Sequence, residues 1–164
     1  ALNEVGDGFE KHEIFLPQLL RSAECSSKAF ALIKENMTLK TSNGNSVIIA
    51  TVQGDIHDIG KNIVKLLLES HGFTVYDLGK DVSPQTVLDA LKKHGSRLVA
   101  LSALMTTTLP AMDKTVQMIK SLYPDVYVMV GGAVLTEEYA KTIGADAYGK
   151  DAMAAVRFAQ TVYK

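Results

Sequence analysis

From residue 47 onward the chain alternates between two hydrophobic periods. Short apolar runs rich in β-branched residues fall at 47–52 (VIIATV), 73–78 (FTVYDL), 98–102 (LVALS), 126–130 (VYVMV) and 145–148. Between and after them, at 61–71, 84–94, 109–121, 135–143 and 151–163, apolar positions recur with a helical period. Strands that alternate with helices predict βαβ units and a parallel sheet. The runs at 47–52 and 98–102 are apolar almost throughout, as in strands buried on both faces. Five such units predict an α/β, flavodoxin-like domain with strand order 2-1-3-4-5. Its ligand crevice would open beyond the C-terminal ends of strands 1 and 3.

The first 37 residues follow a different pattern. Leu16, Leu19, Leu20, Ala23, Phe30, Ile33 and Met37 keep a helical period, and Pro17 suits a first helical turn. The apolar cluster Phe9, Ile14, Phe15 and Leu16 precedes that start, where the chain should turn. The polar stretch TLKTSNGNS, with its Asn-Gly turn signal, separates the two patterns. The expected organisation is a helical segment over 1–37, a linker over 38–46 and an α/β domain over 47–164.

Composition narrows the function. With 164 residues, 47% of them hydrophobic, the chain can bury a substantial core. A net charge of −1 predicts neither nucleic acid nor an anionic membrane as partner. No apolar run is long enough to span a bilayer, and the N-terminal ALNEVGDGFEKHE lacks the pattern of a signal peptide. Cys25 is the single cysteine, which excludes an internal disulfide and a multi-cysteine zinc site and fits a reducing, cytoplasmic setting. Trp is absent and aromatics make up 7%, too few for a platform that stacks single-stranded nucleic acid.

The chemistry concentrates in the loops at the expected crevice. Strand 1 is followed by QGDIHDIG, strand 3 by SALMTTTLP and strand 4 by GGA. His71 and His94 sit at helix ends before glycine and read as structural, and His12 as a surface residue. His57 differs, because Asp55 lies two residues away in a loop bracketed by Gly54 and Gly60. A carboxylate on one imidazole nitrogen fixes the tautomer and leaves the other for a metal or a proton. Zinc would need further ligands that the loop lacks. GDIHDIG does not have the G-x-G-x-x-G spacing of a dinucleotide site and puts acids where phosphate would sit. A phospho-receiver would end strand 3 with Asp, whereas Ser102 is there. A Thr108-based hydrolase would need a nucleophile elbow, and no G-x-S-x-G is present. There remains an axial histidine for a metal whose other ligands come from a macrocycle.

Three segments then carry a resemblance. D-x-H-x-x-G (Asp55, His57, Gly60) resembles the signature of cobalamin-binding domains, SALMTTT (Ser102 to Thr108) their S-x-L segment, and VGGA (Val130 to Ala133) their Gly-Gly segment. VGDGFEKHEIFLPQLLRSAE is similar to the end of the helical cap that precedes this domain in B12-dependent methyltransferases. Methionine synthase is the nearest member on these motifs, and the small corrinoid proteins of methanol and methylamine methyltransferase systems share the layout.

The resemblance implies methylcobalamin as cofactor, with His57 as axial cobalt ligand and Asp55 hydrogen-bonded behind it. Thr108 would continue a proton relay toward solvent, one that loads when the histidine leaves cobalt. Ser102 and Thr106 would meet the nucleotide tail, in a slot floored by Gly131 and Gly132 and completed by Asp151 and Ala152, with Leu104, Val130 and Ala133 also binding the cofactor. Gly54, Ile56, Asp58, Ile59 and Gly60 would also contact the cofactor, and Phe9 and Leu16 would shield its upper face. Asp58 would in addition cap the helix that starts near Gly60. The chain would be a carrier rather than a complete catalyst, with methyl-donor and methyl-acceptor methyltransferase domains or subunits, and a reactivating protein, as partners. Since the family's cap holds more helices than residues 1–37 can form, a cobalamin module of methionine synthase is the expected identity. A separate corrinoid protein is the alternative, followed by a B12-dependent sensor, and then by a flavodoxin-like module without cobalamin in which His57 is structural.

Overall fold

The computed structural model describes residues 2–36 and 45–164. The strand-like runs form β1 (Ser46–Thr51), β2 (Thr74–Asp77), β3 (Leu98–Ser102), β4 (Tyr127–Gly131) and β5 (Ala147–Gly149). They pair in parallel in the order β2-β1-β3-β4-β5, the topology that the sequence pattern predicts. The helices α3 (Ile59–Ser70), α4 (Pro84–His94), α5 (Leu109–Leu122), α6 (Glu137–Thr142) and α7 (Ala152–Val162) alternate with them. Fifth-strand pairing begins later than the apolar run, because Asp146 turns inward: its backbone N–H donates to Val128 O at 2.8 Å and its carboxylate accepts from Val128 N at 2.6 Å.

Alternation along β1 splits the core in two. Ile48, Ala50 and Val52 face α4 and α5, with Val87, Leu91, Met112 and Val116. Val47 and Ile49 face α3 and α7, with Leu67, Leu68, Val156 and Ala159. At the C-terminal edge the register aligns Thr51, Ser102, Gly131 and Gly149 in one row across four strands. The loops that leave this row therefore start at one level, which is what gathers distant sequence segments into one site.

Two helices precede the sheet, α1 (Leu2–Glu10) and α2 (Leu16–Asn36). Pro17 lies in the first turn of α2, as its missing N–H allows. Phe9, read from sequence as part of a turn, belongs to α1, a helix that Gly6 and Gly8 disguise in the hydrophobic pattern. A Cβ on Gly6 would lie 2.3 Å from Met153 Cε, so the backbone of α1 rests on the first turn of α7. Leu19 and Ala23 of α2 are fully buried in the α3/α7 face of the core. Nearly all of the expected linker, residues 38–44, lies outside the described residues.

A buried ion pair fixes the start of α3. Lys61, 3% exposed, donates to Asp77 Oδ1 at 2.7 Å and to Asn62 Oδ1 at 2.8 Å, while Lys65 reaches Asp77 Oδ2 at 3.2 Å. Burial raises the Asp77 pKa, but the Lys61 ammonium, the Gly79 N–H and Lys65 outweigh it and hold the carboxyl below its ordinary value. A depressed folded-state pKa contributes stability that is complete above the unfolded value, about 3.9, and is lost as pH falls through the lower folded value. Asp77→Ala strands the Lys61 charge and should destabilise the fold by about 3 kcal/mol at neutral pH in urea unfolding. Measured again at pH 3 to 4, the gap between variant and parent should narrow.

Candidate functional site

The histidine loop is built to hold one ring. Gly54, at φ +84, turns the chain after β1, a conformation that side chains resist. Asp55 is then fully buried, and both of its oxygens are saturated. Oδ1 accepts from the His57 backbone N–H at 2.9 Å and lies 2.8 Å from His57 Nδ1. Oδ2 accepts from Leu104 N at 2.6 Å, Met105 N at 3.3 Å and Thr108 Oγ1 at 3.3 Å. Burial works against ionisation, yet the N–H donors of Leu104, His57 and Met105 and the His57 ring together lower the Asp55 pKa to about 2. An ionised Asp55 is an acceptor only, so the imidazole proton sits on Nδ1 and Nε2 carries the lone pair.

Thr108 enters this arrangement from behind. It is buried, and its single hydroxyl proton is shared between Asp55 and the nearer Met105 carbonyl at 2.8 Å. The contact with Asp55 that the motif suggests is present, and it ends inside the protein rather than at the solvent.

Beside the ring lies a cavity of about 630 Å³ between the sheet edge, α3, α7 and the N-terminal helices. Its wall includes His57, Ile56, Asp58, Ile59 and Gly60 from the first loop, and Ser102 and Leu104 from the second. Val130, Gly131, Gly132 and Ala133 line it from β4, Asp151 and Ala152 from the start of α7, and Phe9 and Leu16 from the helical segment. Gly54, Asp55 and Thr108 stand behind this lining, holding it. Thr106 is exposed and outside it, because the chain leaves the crevice at Met105 to begin the short 3-10 turn Thr106–Thr108. Asp58 occupies the N-cap position of α3 without a side-chain cap bond; its carbonyl instead accepts from Asn62 N at 2.8 Å. Asp151 does cap α7, accepting from Ala154 N at 2.7 Å.

The glycine pair serves as a cradle. Gly132 has φ +128, and a Cβ there would lie 1.9 Å from Ala103 O. On Gly131 it would lie 3.0 Å from Gly149 O. Two residues that sequence reasoning passed over complete the site. Gly149 extends the row of small groups, its signal being only a glycine just past the fifth apolar run. Thr51, fully buried, lies 2.9 Å from Ser102 Oγ and donates to the His57 carbonyl at 3.3 Å, joining the histidine loop to the cavity floor. Inside a strand it looks like any core threonine.

These features define a class: a parallel α/β domain that offers one oriented imidazole beside a deep slot with an exposed-backbone wall. Among the described residues no group of three or more His, Cys, Asp or Glu gathers to hold an ion. The donor set therefore suits a metal that brings its other ligands with it, and the glycine cradle suits a bulky, flat group. Known proteins agree. A B12 binding domain model matches residues 45–157 and a second B12 binding domain model matches residues 1–34. The chain is 39% identical over 159 residues to dimethylamine corrinoid protein 3 of Methanosarcina mazei, covering 94% of this chain and 95% of that one. It is 40% identical over 157 residues to trimethylamine corrinoid protein 1 of Methanosarcina acetivorans, covering 93% and 73%. The methanol:cobalamin methyltransferase complex MtaBC of Methanosarcina barkeri contains a chain that superposes with a TM-score of 0.87 at 30% identity, over 99% of this chain and 63% of that one. The chain belongs to the B12-binding domain family, and cobalamin is its cofactor. The expectation of a methionine synthase module draws no support from these relatives, whereas its alternative, a corrinoid protein of a methylamine or methanol system, does.

Proposed function

We propose that this chain is the methyl carrier of a methylamine- or methanol-type methyltransferase system, in which His57 would hold the cobalt of the corrinoid. One observation carries the ligand assignment: a single imidazole, tied at Nδ1 to a buried carboxylate so that Nε2 is left for another partner, lies on the wall of a cavity that Gly131 and Gly132 also line. When bound, the corrinoid supplies a cobalt centre that accepts a methyl group and gives it up again. The protein's part is to seat it. Asp55 holds the ring through its Nδ1 and fixes the tautomer. Ile56, Ile59 and Leu104, all exposed around the opening, would exclude water from the ring plane. Phe9 and Leu16 stand at the cavity's other wall and would shield the reactive face until a partner displaces them. Methyl-donor and methyl-acceptor methyltransferases, and a reactivating protein, would be those partners; the names of the relatives point to methylamines and methanol as donor classes.

The test is a labelled methyl group followed from donor to an acceptor thiol. Transfer from dimethylamine or methanol, in the presence of the matching methyltransferases and only when the cobalamin-loaded chain is added, is the expected result. Loading from methyltetrahydrofolate alone would instead return the chain to a methionine synthase role.

A further inference from the structure

The loop that carries His57 is held by a second loop that approaches from β2. Asp81 lies in that loop, exposed, with φ +56, a left-handed conformation that non-glycine residues rarely keep without a local reason. A reason is visible. The Asp81 backbone N–H donates to the Asp55 carbonyl at 3.0 Å, and Asp81 Oδ1 accepts from the Gly54 N–H at 2.7 Å. One residue thus grips both sides of the Gly54–Asp55 peptide link. Below it the two chains are already laced together: Val52 bridges Val82, Thr51 N donates to Gly79 O at 3.0 Å, and Val82 N donates to Thr51 O at 3.0 Å. Asp81 is the last rung of that lacing, and Asp55, which its N–H holds by the carbonyl, is the residue whose side chain orients His57.

We propose that Asp81 is a positioning residue for the axial imidazole: its carboxylate clasps Gly54, fixes the direction in which Asp55 leaves the backbone, and through Asp55 sets where His57 Nε2 points. The proposal rests on His57 being the cobalt ligand. It differs from a plain turn-forming role because the side chain, not the backbone alone, makes the contact with the histidine loop. A left-handed site in a turn would be served as well by glycine; the clasp needs an acceptor oxygen.

That difference selects the variants. Asp81→Gly keeps the left-handed backbone accessible and removes the acceptor. Asp81→Asn keeps an acceptor oxygen and tolerates the same backbone. Both are made in the full chain, loaded with cobalamin and compared with the parent and with His57→Gly, the reference for a corrinoid lacking the protein nitrogen. The ratio of His-off to His-on cofactor is read from the absorption spectrum and from nitrogen coupling in the electron paramagnetic resonance of the cobalt(II) state. In the chain without cofactor, exchange of the Gly54 amide is followed by NMR. Losing one hydrogen bond predicts a rise of about three- to tenfold in the His-off ratio and in Gly54 exchange for Asp81→Gly. Asp81→Asn should stay within about twofold on both counts. Cofactor bound per chain should be unchanged. An Asp81→Gly ratio equal to that of the parent, or an equal rise in Asp81→Asn, overturns the proposal. A parent spectrum that already matches His57→Gly overturns the axial-ligand reading instead, a result distinct from failure of the clasp.

Discussion

Replacing His57 with glycine should yield a protein that still takes up cobalamin but shows the spectrum of a corrinoid without a protein nitrogen on cobalt. The side chain removed is the oriented donor at the cavity, whereas the walls that would grip the ring and its tail come from four other segments. Affinity should therefore fall by on the order of tenfold to a hundredfold, the scale on which even the groups supporting a metal ligand act, rather than vanish. The fold should persist, since the His57 side chain is 46% exposed and lies outside both core clusters. Absorption spectroscopy after reconstitution and gel filtration measures both quantities at once. A variant spectrum unchanged from that of the parent would remove His57 from the cobalt.

Gly132→Ala should have the largest effect on the fold of any glycine substitution at the cavity. The new Cβ would fall 1.9 Å from the Ala103 carbonyl, a backbone atom with no rotamer to escape by, and φ +128 adds strain. Ala103 cannot yield easily, because its N–H is held by the Gly131 carbonyl at 3.1 Å. Clash and strain together predict a loss of about 3 kcal/mol or more, which for a chain of this size lowers the unfolding midpoint by about 10 °C. The same shift of β4 against the β3 loop narrows the slot, so cofactor retention should fall with stability. Gly60→Ala is the natural contrast, since a Cβ there meets nothing within 4 Å. Its midpoint should stay close to that of the parent, and calorimetry of the two variants side by side checks both statements.

Much of this was legible from the chain alone. Uniformly apolar runs separated by helical periods dictate a parallel sheet covered on both faces, and they do so locally, residue by residue. Five such units match the flavodoxin-like order 2-1-3-4-5, and that order brings loops 1, 3 and 4 to one edge. D-x-H-x-x-G places a carboxylate beside a histidine within one loop, so the Asp55–His57 pair needs no long-range information either. The fifth strand and α1 were less clear because short elements and helical glycines blur the hydrophobic period.

What only the tertiary structure decided are pairings between residues that are distant in sequence and ordinary in type. Lys61 looks like a solvated helix lysine until β2 brings Asp77 to it. Thr51 looks like strand filler until register sets it beside Ser102. Asp81 is one more polar turn residue until its loop closes on Gly54. Thr108 offers a hydroxyl, but only its packing shows that Met105 shares the proton. The sequence by itself determined the architecture, the edge at which the loops gather and the histidine–carboxylate pair beside it, because hydrophobic period and motif spacing are local properties. The tertiary structure decided how firmly that pair is held and how closely the cradle approaches, because both depend on distances across strands that no local pattern encodes.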